Sequence, residues 1–288
     1  VKRVTQLKGG ESLKAGSVFF ITGAADGIGA ATAELAVSRG HRVAVCDLNE
    51  SAAASLCKRL GGNAHAVALD VRDTESWERA LDEAWQRFGR VDILVNNAGV
   101  IHTGWVNEQP LEHLEHMIDV NLLGLVKGVR ATVPRFQAQG HGHVINIGSL
   151  GCFVPLPGQS VYAATKHAVR AFHHGYAMEQ RDRRVTFTLV CPGVVDTQML
   201  RKQVGIEASF ISFSVSPLRR EAVARAVLRG AEKKPHEILI PVFQGEGLRL
   251  AGIFPRIMRW MAPGFEARGR RAMAKHPPGG SEELGAGR

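Results

Sequence analysis

At 288 residues, with 45% apolar and 22% charged residues, the chain can bury a core as one domain and lacks the composition of a disordered or fibrous protein. No apolar run is long enough to span a bilayer, and the opening VKRVTQLKGG lacks the hydrophobic block of a signal peptide. The expectation is therefore a cytoplasmic protein. The net charge of +9 is concentrated near one end, and Cys46, Cys57, Cys152 and Cys191 lie at no metal or redox-motif spacing, which suits free thiols.

In chain order, short β-rich runs alternate with helical patterns. The runs are SVFFIT (17–22), RVAVC (42–46), AHAVAL (64–69), DILVN (92–96), HVINIG (143–148), VTFTLV (185–190) and EILIP (237–241). Several are almost wholly apolar, as in strands buried on both faces of a parallel sheet. Between them, Trp77, Leu81, Ala84, Trp85 and Phe88 recur at helical spacing in one apolar stripe. Ser216-Pro217 reads as an N-cap followed by a first helical proline. Seven strands and six crossovers predict an α/β fold, a doubly wound Rossmann-type parallel sheet with helices on both faces. By composition, residues 1–15 form a flexible N-terminus, 16–241 a single domain, 242–276 a basic extension and 277–288 a disordered tail.

The first strand runs into TGAADGIG (22–29) and then an alanine-rich helix. Gly23, Gly27 and Gly29 fall where a strand turns into a helix N-terminus, with Asp26 and Ile28 between them. Bare N–H groups and the positive helix end there suit a pyrophosphate. Asp47 ends the second strand, where a carboxylate accepts the ribose hydroxyls of NAD and repels the 2′-phosphate of NADP. Tyr162 and Lys166, four apart in a helical segment, project from one face. A phenol with a pKa near 10 is a poor base at neutral pH, and an adjacent ammonium favours the phenolate.

This order of motifs resembles the short-chain dehydrogenase/reductase family, in its single-domain branch, over roughly residues 15–241. The resemblance implies NAD-dependent interconversion of a secondary alcohol and a ketone. It casts Tyr162 as acid/base, Lys166 as its tuner, Ser149 as the group orienting the substrate oxygen, and Asn121 as a helix-bending residue supporting a proton relay. It places Asp70 and Val71 against the adenine, and Asn97, Ala98 and Gly99 beside the adenine-side ribose. Pro192, Gly193, Val195 and Thr197 come to the nicotinamide. Asn96 and Asn97 also read as braces to neighbouring strands. Asp26 stands where NADP-preferring relatives usually carry a basic residue, a second reason to expect NAD. Gly148, serine in many relatives, is expected to enlarge the site slightly.

His141 and His143, and His113 and His116, lack a third ligand, and they read as solvated loop or helix-face residues with no metal. Cys152 reads as pocket lining. Residues 198–215 form the expected pocket lid. Beyond Pro241, residues 248–275 carry seven basic side chains and one acid. Helical projection puts Leu250, Phe254, Ile257, Met258 and Met261 on one side and Arg249, Arg256 and Arg259 on the other, with Pro255 breaking the helix. This extension reads as a cover for the substrate pocket of its own or a neighbouring subunit, or as a peripheral contact with an anionic membrane. Nucleic acid fits neither its pattern nor any motif. Both leading readings point to a lipophilic, hydroxysteroid- or retinol-like substrate, and the resemblance implies a homodimer or homotetramer built through the Tyr162 helix and the one before it. A non-catalytic NAD-binding regulator and a non-redox relative, an epimerase or dehalogenase, are the rivals; intact Ser149, Tyr162 and Lys166 count against the first.

Overall fold

The computed structural model describes residues 13–180 and 184–274. Most of the flexible N-terminus and all of the 277–288 tail expected from composition lie outside these residues. Seven parallel strands form one sheet: β1 (Val18–Thr22), β2 (Arg42–Asp47), β3 (Ala64–Ala68), β4 (Ile93–Asn96), β5 (Gly142–Ile147), β6 (Val185–Pro192) and β7 (Glu237–Ile240). Their order is β3-β2-β1-β4-β5-β6-β7. The chain starts in the middle, winds out one way and then the other, so the strand order reverses between β1 and β4 and opens a crevice at their C-terminal ends. Central strands β1, β4 and β5 are buried along their whole length. That explains their unbroken apolar runs: helices cover both faces.

On one face, α3 (Thr74–Phe88) buries Trp77, Leu81, Ala84 and Phe88 against the sheet, with Trp85 partly buried beside them. Asp73 caps it by accepting from the Glu75 and Ser76 amides. The long helical stretch after it runs through α4 (Leu111–Ile118), a π-helical segment (Asp119–Gly124) and α5 (Leu125–Gln139). On the other face, α1 (Gly27–Ser38) is joined by α2 (Glu50–Leu60), and after α6 (Ser160–Glu179) and the short α7 (Gln198–Arg201), α8 (Arg220–Lys233) packs against α1. The chain then continues as α9 (Val242–Ile253) and α10 (Pro255–Ala274).

Three sequence expectations change. Ser216-Pro217 does not open a helix: Leu218 bridges to Val195 beside the sheet, donating to Val194 O at 2.8 Å and accepting from Asp196 N at 2.9 Å, and α8 begins only at Arg220. His143 is not a solvated loop residue but a buried member of β5, its Nδ1 2.7 Å from Thr186 Oγ1, and burial lowers its pKa to about 3. On α9 the projected faces are reversed. Arg249 packs inward over the Phe153 ring and pairs with Glu237, whereas Leu250 is 63% exposed. The reason is glycine: Gly245 abuts Leu239 and Gly252 abuts Phe153 O so closely that a Cβ would lie 2.6 and 2.1 Å away, which fixes the inner face, with Leu248 and Ala251 packed beside them on the core. The break between α9 and α10 falls at Pro255 as the sequence indicates. The side chains of Ile257, Met258 and Met261 lie outside the described residues.

Candidate active site

A cavity of about 630 Å³ runs through the crevice at the strand ends. At one end lies the turn from β1 to α1. Gly23 has φ +61°, and a Cβ there would sit 2.8 Å from Ala98 Cα. At Gly29 a Cβ would sit 2.3 Å from Gly23 O and 2.7 Å from Asn97 Nδ2. The backbone therefore folds back on itself more tightly than any side chain permits. Asn97 Nδ2 donates to Thr22 O and Gly23 O, both at 2.9 Å, and Thr22 Oγ1 accepts from the Asn97 and Ala98 amides at 3.0 Å. Asn96 donates to Asn146 Oδ1 across to β5 at 2.9 Å. Both asparagines are thus braces. Asp26 makes no side-chain cap bond at the start of α1, so the first-turn N–H groups stay open to an anion.

Gly23, Asp26, Ile28, Asp47, Asp70 and Val71 line this end of the cavity, followed by Asn97, Ala98 and Gly99. Gly27 and Gly29 shape the turn beside it: Gly27 takes a left-handed φ of +59° next to Thr197, and the missing Cβ of Gly29 faces Gly23 O and Asn97. Asp47 accepts from the Ala25 and Asn49 amides, each at 2.9 Å, which holds its carboxylate at the tip of β2. Arg72 grips Asp70 at 2.7 Å and holds its carboxyl below the ordinary range. The open helix end, the Cβ-free cradle and the fixed carboxylate beyond it match the parts of a dinucleotide.

Farther along, Ser149, Tyr162, Lys166, Pro192, Gly193, Val195 and Thr197 line the same cavity. Ser149 ends the β5 loop, where its Oγ accepts from Gly151 N at 3.0 Å. Tyr162 and Lys166 stand one turn apart on α6, with Nζ 5.8 Å from the phenol ring centroid. Burial, not the ammonium, dominates the phenol: it is pushed up to about 12, with the Ser149 hydroxyl pulling the other way. The expected lowering by Lys166 is absent from the protein alone, because Nζ donates to Ile147 O at 3.1 Å and is itself lowered by burial to about 8. Asn121 lies in the π-helical segment, where the long helix bends, and is outside the cavity lining. Its Oδ1 accepts from Val100 N at 2.7 Å, and its Nδ2 donates to Val100 O at 2.9 Å and Thr165 Oγ1 at 3.3 Å.

Residues 17–206 match the short chain dehydrogenase family. The chain belongs to that family. Within it, the chain is 38% identical over 186 residues, 64% of its own length and 74% of the relative's, to 2,5-dichloro-2,5-cyclohexadiene-1,4-diol dehydrogenase LinX of Sphingobium indicum. It is 32% identical over 219 residues, covering 73% and 82%, to trans-4-hydroxycyclohexanecarboxylate dehydrogenase of Sinomonas cyclohexanicum. The solved structure of 3-ketoacyl-(acyl-carrier-protein) reductase from Brucella melitensis, complexed with NADH, superposes with TM-score 0.71 at 26% identity, covering 78% of this chain and 96% of that one. As a short chain dehydrogenase the protein is an oxidoreductase on a nicotinamide-binding Rossmann fold.

The remaining walls of the cavity come from the expected lid and from the C-terminal extension. Met199, Leu200, Gln203, Ile211, Ser212 and Val215 of the lid line the cavity, joined by Gln244 and Leu248 of α9 and Phe265 of α10. The extension is tied down on the lid: Gly269 leaves no room for a Cβ beside Phe210 O, and Arg270 pairs with Glu207 at 2.9 Å. Cys152 is a correction. It does not line the cavity but lies behind it, its Sγ 3.8 Å from Cys191 Sγ. Gly148 lines the cavity and also permits this packing, since a Cβ there would come within 3.0 Å of Cys191 Sγ. His102 stacks on His113 with ring centroids 4.2 Å apart and meets His116 Nδ1 at 3.1 Å. Among the described residues no group of three His, Cys, Asp or Glu side chains is placed to hold a metal ion.

Proposed function

We propose that this protein is an NAD-dependent dehydrogenase that interconverts a lipophilic secondary alcohol and its ketone. The observation that carries this is the convergence of Ser149, Tyr162 and Lys166 on the cavity that the glycine turn and Asp47 also line. Bound NAD supplies the hydride acceptor, or NADH the donor. The chain's own residues handle the proton. Ser149 Oγ hydrogen-bonds the substrate oxygen and Tyr162 exchanges a proton with it through the phenol oxygen. With its pKa raised, Tyr162 rests in the protonated form, the form that donates to a ketone oxygen. Lys166 supplies positive charge on the same helical face and a donor toward the cofactor ribose, while Asn121 holds Val100 and the bend of its helix in place.

Asp47 and Asp26 support NAD over NADP, since both carboxylates line the end of the cavity where a 2′-phosphate would lie. The family acts on small molecules, and the alicyclic alcohols and acids in the names of two relatives support a ring-bearing secondary alcohol here. Residues 16–241 then form the catalytic domain and 242–276 its cover, supplied by the same subunit. Exposed Leu111, Ile118, Leu123 and Met178 on α4, the π-helical segment and α6 support a homo-oligomer through those helices. Exposed Val242, Phe243, Leu250, Ile253 and Trp260, near Arg256 and Arg259, support peripheral contact with an anionic membrane. No helix among the described residues is long and apolar enough to cross one.

The test is NADH formation with a panel of alicyclic secondary alcohols and either cofactor. Turnover is expected with NAD and at least about tenfold less efficiently with NADP. An Asp47→Ser variant should lose most of that preference. No turnover with either cofactor across the panel would refute the proposal.

A further inference from the structure

The lid side of the cavity mixes apolar Met199, Leu200, Ile211 and Val215 with polar Gln198, Lys202 and Ser214, and one buried polar cluster stands out among them. Gln159, Gln203 and Ser212 all line the cavity, yet all three are more than nine-tenths buried, at 4%, 6% and 8% exposure. They come from three places in the chain: the start of α6, the segment after α7, and the 3₁₀ turn Glu207–Phe213.

Their hydrogen bonds orient one another without ambiguity. Met199 O is a carbonyl and only accepts, so the group 3.0 Å from it must be the Gln203 amide nitrogen. That turns Gln203 Oε1 toward the cluster, where Ser212 Oγ donates to it at 2.8 Å and Gln159 Nε2 at 3.0 Å. Gln159 Nε2 also donates to Ser212 Oγ at 2.6 Å. The Gln159 amide nitrogen is therefore turned to the network, and Gln159 Oε1 is left facing away from it. No described residue donates to that oxygen, and it is not among the sealed buried atoms without a partner. Gln159 itself lines the cavity. A cluster that served only to fasten the lid would have no reason to present a fixed, unshared acceptor to the substrate space.

We infer that Gln159 Oε1, held by Gln203 and Ser212, is a subsite for a second hydroxyl group of the substrate. This rests on the dehydrogenase reading above and narrows its substrate class to alicyclic alcohols that carry another hydroxyl. The ligand group must donate, because the amide oxygen only accepts; a halide, ether, ketone or carboxylate would face it lone pair to lone pair. It must also be neutral, because the acidic residues of the cavity, Asp26, Asp47 and Asp70, all belong to the cofactor end. Gln159 caps α6 three residues before Tyr162, and both line the same cavity.

The experiment compares trans-1,4-cyclohexanediol with trans-4-methylcyclohexanol, which puts a methyl group where the hydroxyl would donate, using the full chain and NAD. The diol should show kcat/KM at least about tenfold higher. In Gln159→Met, and more weakly in Ser212→Ala, that ratio should fall toward one, with melting curves verifying that both variants fold. Equal use of the two alcohols by the unaltered protein, or a ratio that survives Gln159→Met, overturns the subsite. If neither alcohol turns over, the dehydrogenase reading fails for this class, and calorimetric binding to the NADH-loaded protein decides the subsite separately. There, tighter binding of the diol that is lost in Gln159→Met supports it, and equal affinities overturn it.

Discussion

Replacing Gly29 by alanine tests the cofactor cradle through one added methyl group. The new Cβ would stand 2.3 Å from Gly23 O and 2.7 Å from Asn97 Nδ2, against a working minimum of 3.0 Å. Either the turn moves by roughly 0.7 Å or more, or Asn97 lets go of Thr22 O and Gly23 O. Overpacking of this kind costs about 1–3 kcal/mol, and each lost hydrogen bond adds about 0.5–1.5 kcal/mol. A total near 2 kcal/mol lowers Tm by roughly 4–8 °C for a chain of this size. The same displacement misaligns the N–H groups offered to the pyrophosphate, so the Kd for NADH, read by fluorescence titration, should rise at least about tenfold. Gly62→Ala, with nothing within 4 Å of its added Cβ, is the control and should change neither. A lower Tm with an unchanged Kd would show that the turn does not hold the nucleotide, and that result would refute the reasoning.

Three other outcomes follow from the same structure. Lys166, lowered by burial to about 8, carries its charge below that pH and loses it above, so ketone reduction should fall about tenfold between pH 7 and pH 9; a flat profile over that range argues against a role for the ammonium. Gly128→Ala puts a Cβ 2.5 Å from the Trp77 ring, and a loss of about 1–3 kcal/mol in denaturant unfolding is expected, with no loss meaning that α3 and α5 are packed more loosely than described. Phe243→Ser combined with Trp260→Ser removes two side chains that are 94% and 83% exposed, and cosedimentation with anionic vesicles should fall severalfold; equal binding by both proteins would remove the membrane contact.

Much of the sheet was legible in the sequence because its central strands are covered on both faces, leaving unbroken apolar runs such as VFFIT. The glycine turn, Asp47, Ser149, Tyr162 and Lys166 were legible because each falls at a strand end or on one helical face, where local spacing fixes its direction. The α9 helix misled because Gly245 and Gly252 make two of its inner contacts, and glycine carries no hydropathy signal. Ser216-Pro217 looked like a helix start because the bridge from Leu218 to Val195 is a contact between segments far apart in sequence. The same applies to Gln159, which meets Gln203 and Ser212 across 44 and 53 residues, and to Cys152 and Cys191. The state of Tyr162 could not be read from its spacing to Lys166, since burial outweighs the neighbouring charge in setting it.

Tyr162→Phe removes the phenol oxygen and leaves the ring, its packing and every residue of the cofactor end in place. General acid–base catalysis of this kind contributes about 10²–10⁴-fold, so kcat with an alicyclic alcohol and NAD should drop by at least about a hundredfold while the Kd for NADH stays within about twofold. Turnover that survives the substitution would contradict the account, because no other group lining the cavity beside Ser149 is assigned to carry the proton.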